Sequence, residues 1–257
     1  MDKNSVSSES PDLQLAAAVQ QALLIGDIPE CECGKMALKN RMSGLVGGDF
    51  YYFSQLGQGQ VAFTIGDVVG HGVPAALVMT LIIGHLRADK KNCRWPSRIV
   101  SNINDQLVRL GELCNTPITC SIIYGLVDLP TGMLLYVNAG HPHPIIYHRG
   151  DDKTRRLHTT TMLLGVQSGI LPESCHQFRQ QDRLMLYTDG IIEARDSREE
   201  LFGMDRLRQI VRHTKMDLPE HLADRVFKEI DDFLGSSSPE DDQTLVVIDF
   251  DVISNNI

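Results

Sequence analysis

Apolar runs that begin or end on aspartate are the strongest constraint in this 257-residue chain. VAFTIGD ends at Asp67, RLMLYTD ends at Asp189, and DDQTLVVI opens on Asp241 and Asp242. A fourth acidic position, Asp49, sits in the tight turn Gly47-Gly48-Asp49-Phe50. A run apolar enough to be buried does not carry an unpaired carboxylate without reason, because desolvating one costs several kcal/mol. Strand ends of this kind, brought together, repel one another unless cations lie between them. Carboxylates without a histidine or cysteine cluster suit hard ions such as Mg²⁺ or Mn²⁺. Taken singly, each aspartate reads as a turn or cap residue, and periodicity leaves open whether they meet in space.

The segments around these acids alternate between two kinds of pattern. Ser10-Pro11-Asp12 is a helix start, with a capping residue, proline at the first position and an acid in the first turn. That helix runs through Leu13, Leu15, Ala16, Val19, Ala22 and Leu23 to about Gly26. Beyond Cys33, Met36, Leu38 and Arg41 alternate with polar residues as in a half-buried strand. Residues 50–56 and 61–68 flank Gly57-Gln58-Gly59 and predict a hairpin. Residues 74–87 form an apolar helix expected to be almost wholly buried. Residues 96–113 form an amphipathic one, with Ile99, Val100, Ile103, Leu107 and Leu110 on one face. Strands are expected at 118–128, 133–138, 145–148, 183–187 and 244–250, and helices at 204–213 and 219–234. Residues 149–182 are turn-rich and suggest no definite element. Hairpin-like strand runs and paired helices argue against a βαβ alternation and for antiparallel sheets covered by helix pairs. With no internal repeat and no long linker, residues 31–253 are expected to form one domain. Residues 1–30 are then a polar tail followed by a linker or switch helix.

Charge and cysteine usage narrow the class. Lys and Arg number 24 against 33 Asp and Glu, a net charge of -9. This surplus disfavours nucleic acid and anionic lipid as main partners, since both need a cationic footprint. None of the six cysteines forms a C-x-x-C pair, and Cys31 and Cys33 read as structural. The polar N-terminus has no secretory h-region. The longest apolar stretch, 72–84, is shorter than the roughly 20 residues a membrane-spanning helix needs. The expected location is the cytoplasm.

The motifs GLVGGDFYYF, AFTIGDVVGHGVPAALVM, LYVNAGHPHPIIY, MLLGV, DRLMLYTDGIIEAR, LFG and DDQTLVVI occur in that order between Leu45 and Phe250. In this order they resemble the metal-dependent serine/threonine protein phosphatases of type 2C, in the bacterial branch typified by SpoIIE and RsbU. The resemblance implies the α+β class and a four-layer αββα sandwich, two antiparallel sheets flanked by paired helices. It implies two Mn²⁺ or Mg²⁺ ions at one edge of that sandwich. Asp67 matches the aspartate that bridges both ions, and the carbonyl of Val68 a further ligand. Asp189 and Asp241 match ligands of one ion, with Asp242 the alternative if the register shifts by one. Asp49 matches an aspartate that holds water on the other ion. The implied activity is hydrolysis of phosphoserine or phosphothreonine on a partner protein by water that two ions activate. The branch points to an anti-sigma-factor antagonist of the STAS type, in a partner-switching pathway. The N-terminal DLQLAAAVQQALL resembles the helix that joins such a domain to a sensor, and a homodimer through it is a further expectation.

Some residues depart from the family pattern or carry weaker signals. Tyr52 stands where the pattern usually has an acid. That opens the alternative of a pseudophosphatase, which binds a phosphoprotein without turnover. Arg41 is the nearest arginine to the first acidic motif but does not align with a phosphate-gripping one. His71, in Gly70-His71-Gly72, is a candidate to protonate the leaving serine oxygen. Asn138, Gly140 and His141 are expected to shape a turn under the site. Asp249-Phe250-Asp251 resembles a haloacid-type D-x-D but lies too late in the chain to be supported as one.

Overall fold

The computed structural model of the chain describes residues 10–25, 34–89 and 91–250. Cys31, Cys33, Asp251 and the polar N-terminal tail lie outside the described residues. The first helix, α1, spans Pro11–Ile25, and the Leu13 backbone N–H donates to Ser10 Oγ at its start. Five strands form one antiparallel sheet, called here the outer-chain sheet: β1 (Gly34–Arg41), β6 (Ile145–His148), β7 (Lys153–Arg156), β9 (Asp182–Tyr187) and β10 (Gln243–Phe250). Their order is β1-β10-β9-β6-β7. Five others form the second, inner-chain sheet: β2 (Phe50–Gly57), β3 (Gln60–Val68), β4 (Cys120–Asp128), β5 (Met133–Ala139) and β8 (Ser174–Gln177), in the order β2-β3-β4-β5-β8. All named strand pairs are antiparallel.

The helices α2 (Gly72–Ala88) and α3 (Pro96–Cys114) pack on the inner-chain sheet. The helix α6 (Pro219–Leu234), with α5 (Gly203–His213) against it, packs on the outer-chain sheet. The expected four-layer α+β sandwich is thus the observed one. Phe50, Phe63, Leu184, Val246 and Phe250 belong to a core that includes residues of both sheets. A second cluster under α5 and α6 contains Tyr187, Leu207, Val226 and Leu245. Burying each such large apolar side chain contributes roughly 1.5–3 kcal/mol.

Two expectations are corrected. Helix α2 is not almost wholly buried: Val73, Leu77 and Leu81 are 46%, 67% and 40% exposed. An apolar helix can be apolar all round while only Ala75, Ala76, Val78, Met79, Ile82, Ile83 and Leu86 are buried. The turn-rich segment 149–182 contains β7 and β8, and a one-turn helix, α4 (Asp189–Ile192), follows β9. Elements of four residues are too short to show periodicity. Among the described residues, no helix is long and apolar enough to cross a membrane.

Candidate metal centre

The two sheets present their acids at a common edge. Asp67 is the penultimate residue of β3 and is paired with Ser121 of β4. Asp49 immediately precedes β2, the other arm of that hairpin. From the other sheet, Asp189 opens α4 directly after β9, and Asp241 and Asp242 immediately precede β10. The carboxyl of Asp67 feels the charges of Asp49, Asp189, Asp241 and Asp242. All five predicted acids therefore meet, although they are spread from position 49 to position 242.

A loop and a set of hydroxyls hold them there. The Asp242 carboxylate accepts from the Ser43 N–H at 2.8 Å and Ser43 Oγ at 3.0 Å through one oxygen, and from the Gly48 N–H at 2.9 Å through the other. Both oxygens are thereby engaged in tying the 43–49 loop to β10. Asp49 is buried, and its Oδ2 accepts hydroxyl bonds from Thr188 at 2.8 Å and Thr244 at 2.5 Å. The Thr244 N–H donates in turn to Thr188 Oγ1 at 2.9 Å. Close approach leaves no room for side chains at two points. A Cβ on Gly48 would meet the Val68 carbonyl oxygen at 2.8 Å and Asp67 Oδ1 at 3.0 Å. One on Gly190 would meet the Asp242 carbonyl oxygen at 2.1 Å.

The electrostatics of the cluster are unfavourable as they stand. Burial, followed by repulsion from the four other aspartates, pushes the Asp67 carboxyl up to about 9. Burial raises Asp49 well above the usual carboxylate range, against the opposing pull of the Thr244 hydroxyl. Asp189 is raised by burial and then by Asp241 and Glu193. An all-oxygen donor set that repels itself in this way fits hard divalent cations.

Asp67 and Asp189 line a cleft of about 510 Å³, together with Ser121, His141, Arg156 and Glu193. The expected turn under the site is present. The His141 N–H donates to Asn138 Oδ1 at 2.9 Å, and its Nδ1 lies 2.8 Å from Ser121 Oγ. Burial pushes the His141 imidazole down to about 3, so it stays neutral. His71 is exposed at the N-cap of α2 and is not among the described residues lining the cleft. Tyr52 is buried in the core and so occupies a packing position. Arg41 bonds to Gln243 Oε1 at 2.9 Å and Asp231 Oδ1 at 2.6 Å, partners that account for its charge. Arg156 is the only lysine or arginine among the described lining residues, and nothing in its local sequence marked it. Gln20 was also not foreseen: its side-chain amide donates to the Gly47 carbonyl at 2.7 Å and accepts from the Gly47 N–H at 3.1 Å.

The paired-sheet sandwich is shared with known phosphatase structures. The SiaA-PP2C domain of Pseudomonas aeruginosa superposes with a TM-score of 0.82 at 20% identity, over 93% of this chain and 96% of that one. The PP2C domain of the cell fate determinant SpoIIE from Bacillus subtilis, with a fragment of its regulatory domain, gives 0.72 at 22% identity, over 84% of this chain and 63% of that one. The family described as Stage II sporulation protein E (SpoIIE) matches residues 57–251, and the chain belongs to that family of PP2C-type phosphatases. Among curated proteins, it is 25% identical to phosphoserine phosphatase RsbU of Bacillus subtilis over 241 residues, 92% of this chain and 69% of RsbU.

Proposed function

We propose that this chain is a Mn²⁺- or Mg²⁺-dependent protein phosphatase that removes phosphate from serine or threonine of a partner protein. The proposed partner is a STAS-type anti-sigma-factor antagonist in a partner-switching pathway, a reading supported by the likeness to RsbU. The observation that carries the activity is the meeting of five carboxylates at the seam between the sheets, where their mutual repulsion calls for cations. In this reading Asp67, the Val68 carbonyl, Asp189 and Asp241 would hold the ions, and Asp49 would hold water beside them. Asp242 keeps the loop in place, since both its oxygens are already engaged. When bound, such ions supply water activation and neutralise phosphoryl charge.

The chain's own side chains do the rest. Arg156 faces the same cleft and binds the incoming phosphate. Neutral His141 and its Ser121 partner shape the floor of the cleft. His71, expected from the sequence as a proton donor, lies outside the lining of this cleft and takes no part in this reading. The direct test is hydrolysis of an aryl phosphate. Stimulation by Mn²⁺ is expected, with loss of activity in Asp67→Asn and Asp189→Asn. Full activity in excess chelator would overturn the reading.

A second reading concerns α1, which we propose acts as a switch and dimerisation helix attached to the 31–253 domain. Its Gln20 grips the backbone of Gly47, next to the loop that Asp242 holds. Leu15 and Val19 of α1 share an exposed apolar groove with Val73 and Leu77 of α2. Deleting α1 is expected to change both oligomeric state and rate, measured by light scattering and by the same assay. If neither changes, the switch reading falls.

A further inference from the structure

A second group of metal-ligating side chains lies at the far end of the sandwich. His148 ends β6 and stands opposite Asp182, the first residue of β9. His176 lies on β8, in the other sheet, and stands opposite Leu134. One ligand atom from each of His148, His176 and Asp182 lies within 4.8 Å of the other two. Asp182 begins β9 and Asp189 follows its end. At about 3.3 Å per residue, this group is roughly 20 Å from the aspartate cluster.

The hydrogen bonding of the group is incomplete. His148 Nδ1 lies 2.7 Å from Asp182 Oδ1, and Asp182 Oδ2 accepts from the Arg179 N–H at 2.8 Å. His148 and Asp182 are 3% and 1% exposed. With Nδ1 engaged by the carboxylate, Nε2 is the ring nitrogen of His148 left to face a ligand. That Nε2 is buried without a hydrogen-bond partner among the described residues, and so is His176 Nε2. The two rings are 6.2 Å apart and tilted by 32°. Burial, followed by the nearby His148, lowers the His176 imidazole. A buried polar atom left unpaired costs about 1–3 kcal/mol, and two imidazole nitrogens in one place are unusual without a shared partner.

We propose that His148 and His176, with Asp182 orienting the His148 ring, form a second metal site for a divalent transition metal such as Zn²⁺. Imidazole nitrogen donors suit Zn²⁺, whereas the all-oxygen aspartate cluster suits Mg²⁺ or Mn²⁺. Asp182, both of whose oxygens are engaged by His148 and the Arg179 N–H, holds the ring as carboxylates hold zinc-bound histidines. Bound metal would pin β8, a sheet-edge strand only four residues long, to β6 and β9 of the opposite sheet.

The test uses the full chain stripped of metal and titrated with Zn²⁺ alone, read by calorimetry and by melting temperature. Co²⁺ provides a visible absorption signature of nitrogen ligation. The wild type and Asp67→Asn are each expected to bind a Zn²⁺ equivalent that raises the melting temperature. His176→Gln, at a half-exposed position that tolerates the change, should lose both the equivalent and the shift. Asp182→Asn should weaken binding on the order of 10- to 100-fold. If His176→Gln binds Zn²⁺ with the same stoichiometry and melting shift as the wild type, the site does not exist. Because the Asp67→Asn arm removes the proposed catalytic centre, failure there is separable from failure here.

Discussion

Asp67 illustrates how burial and like charge act on one proton. Its carboxyl is pushed from the usual 3.8 up to about 9 when no cation is present. Below the lower value it is protonated in both folded and unfolded chains and contributes no pH dependence. Between the two values the folded chain keeps a proton that the unfolded chain has released, so stability falls as pH rises. Above the upper value the slope ends. Metal-free protein is therefore expected to melt at progressively lower temperature from about pH 5 to pH 9, and Asp67→Asn should flatten that slope. Gly48 offers a second check. Gly48→Ala drives a methyl group toward Asp67 Oδ1 and the Val68 carbonyl. Calorimetry should show Mn²⁺ affinity weakened on the order of 10- to 100-fold. Arg156→Ala should raise KM for an aryl phosphate by roughly 10-fold, equivalent to losing one charge-assisted hydrogen bond of about 1.5 kcal/mol. The aspartates were legible in the sequence because they punctuate apolar runs. Thr188, Thr244, Ser43, Gln20 and Arg156 were not, because their roles come from partners tens to nearly two hundred residues away.

At the scale of elements, the joint between β9 and β10 rests on one buried charge. Arg183 is 1% exposed and forms a two-pronged pair with Asp249, its register partner, at 2.6 and 2.8 Å. It also donates to the carbonyls of Thr214 at 3.2 Å and Asp217 at 2.6 Å, tying the end of α5 to the sheet. Asp249 is thus a structural anion rather than part of a D-x-D catalytic motif. Asp249 also pairs with Arg149 at 2.5 Å, so losing Arg183 leaves it still compensated in part. Arg183→Met should lower unfolding free energy by about 1.5–3 kcal/mol in a denaturant titration, the worth of a hydrogen bond to a charged group. The longer strands and helices could be read from alternation and helical spacing, since one face of each meets the core. Of the four-residue elements, β6 shows as an apolar run, whereas β7, β8 and α4 are set by their neighbours rather than by their own pattern. The exposed stripe on α2 was missed for a related reason: apolar composition does not say how much of a helix the sheet can cover.

The whole molecule is a sandwich whose acids are contributed jointly by its two sheets, so binding cations and keeping the sheets together are linked. Mn²⁺ at 100 times its dissociation constant should raise unfolding free energy by about 2.7 kcal/mol per ion, an effect absent in Asp67→Asn. In the proposed two-ion reading, two divalent cations would offset less than half of the formal -9 charge, all of it at that edge. The strand order has a separate consequence for how the protein is made. β10, last of the described strands to leave the ribosome, inserts between β1 and β9 and brings Asp241 and Asp242 with it. A nascent chain stalled before Asp241 holds an edge strand without its neighbour and a cluster lacking its final acids. Under the proposed function, the site can be completed only once synthesis has passed β10.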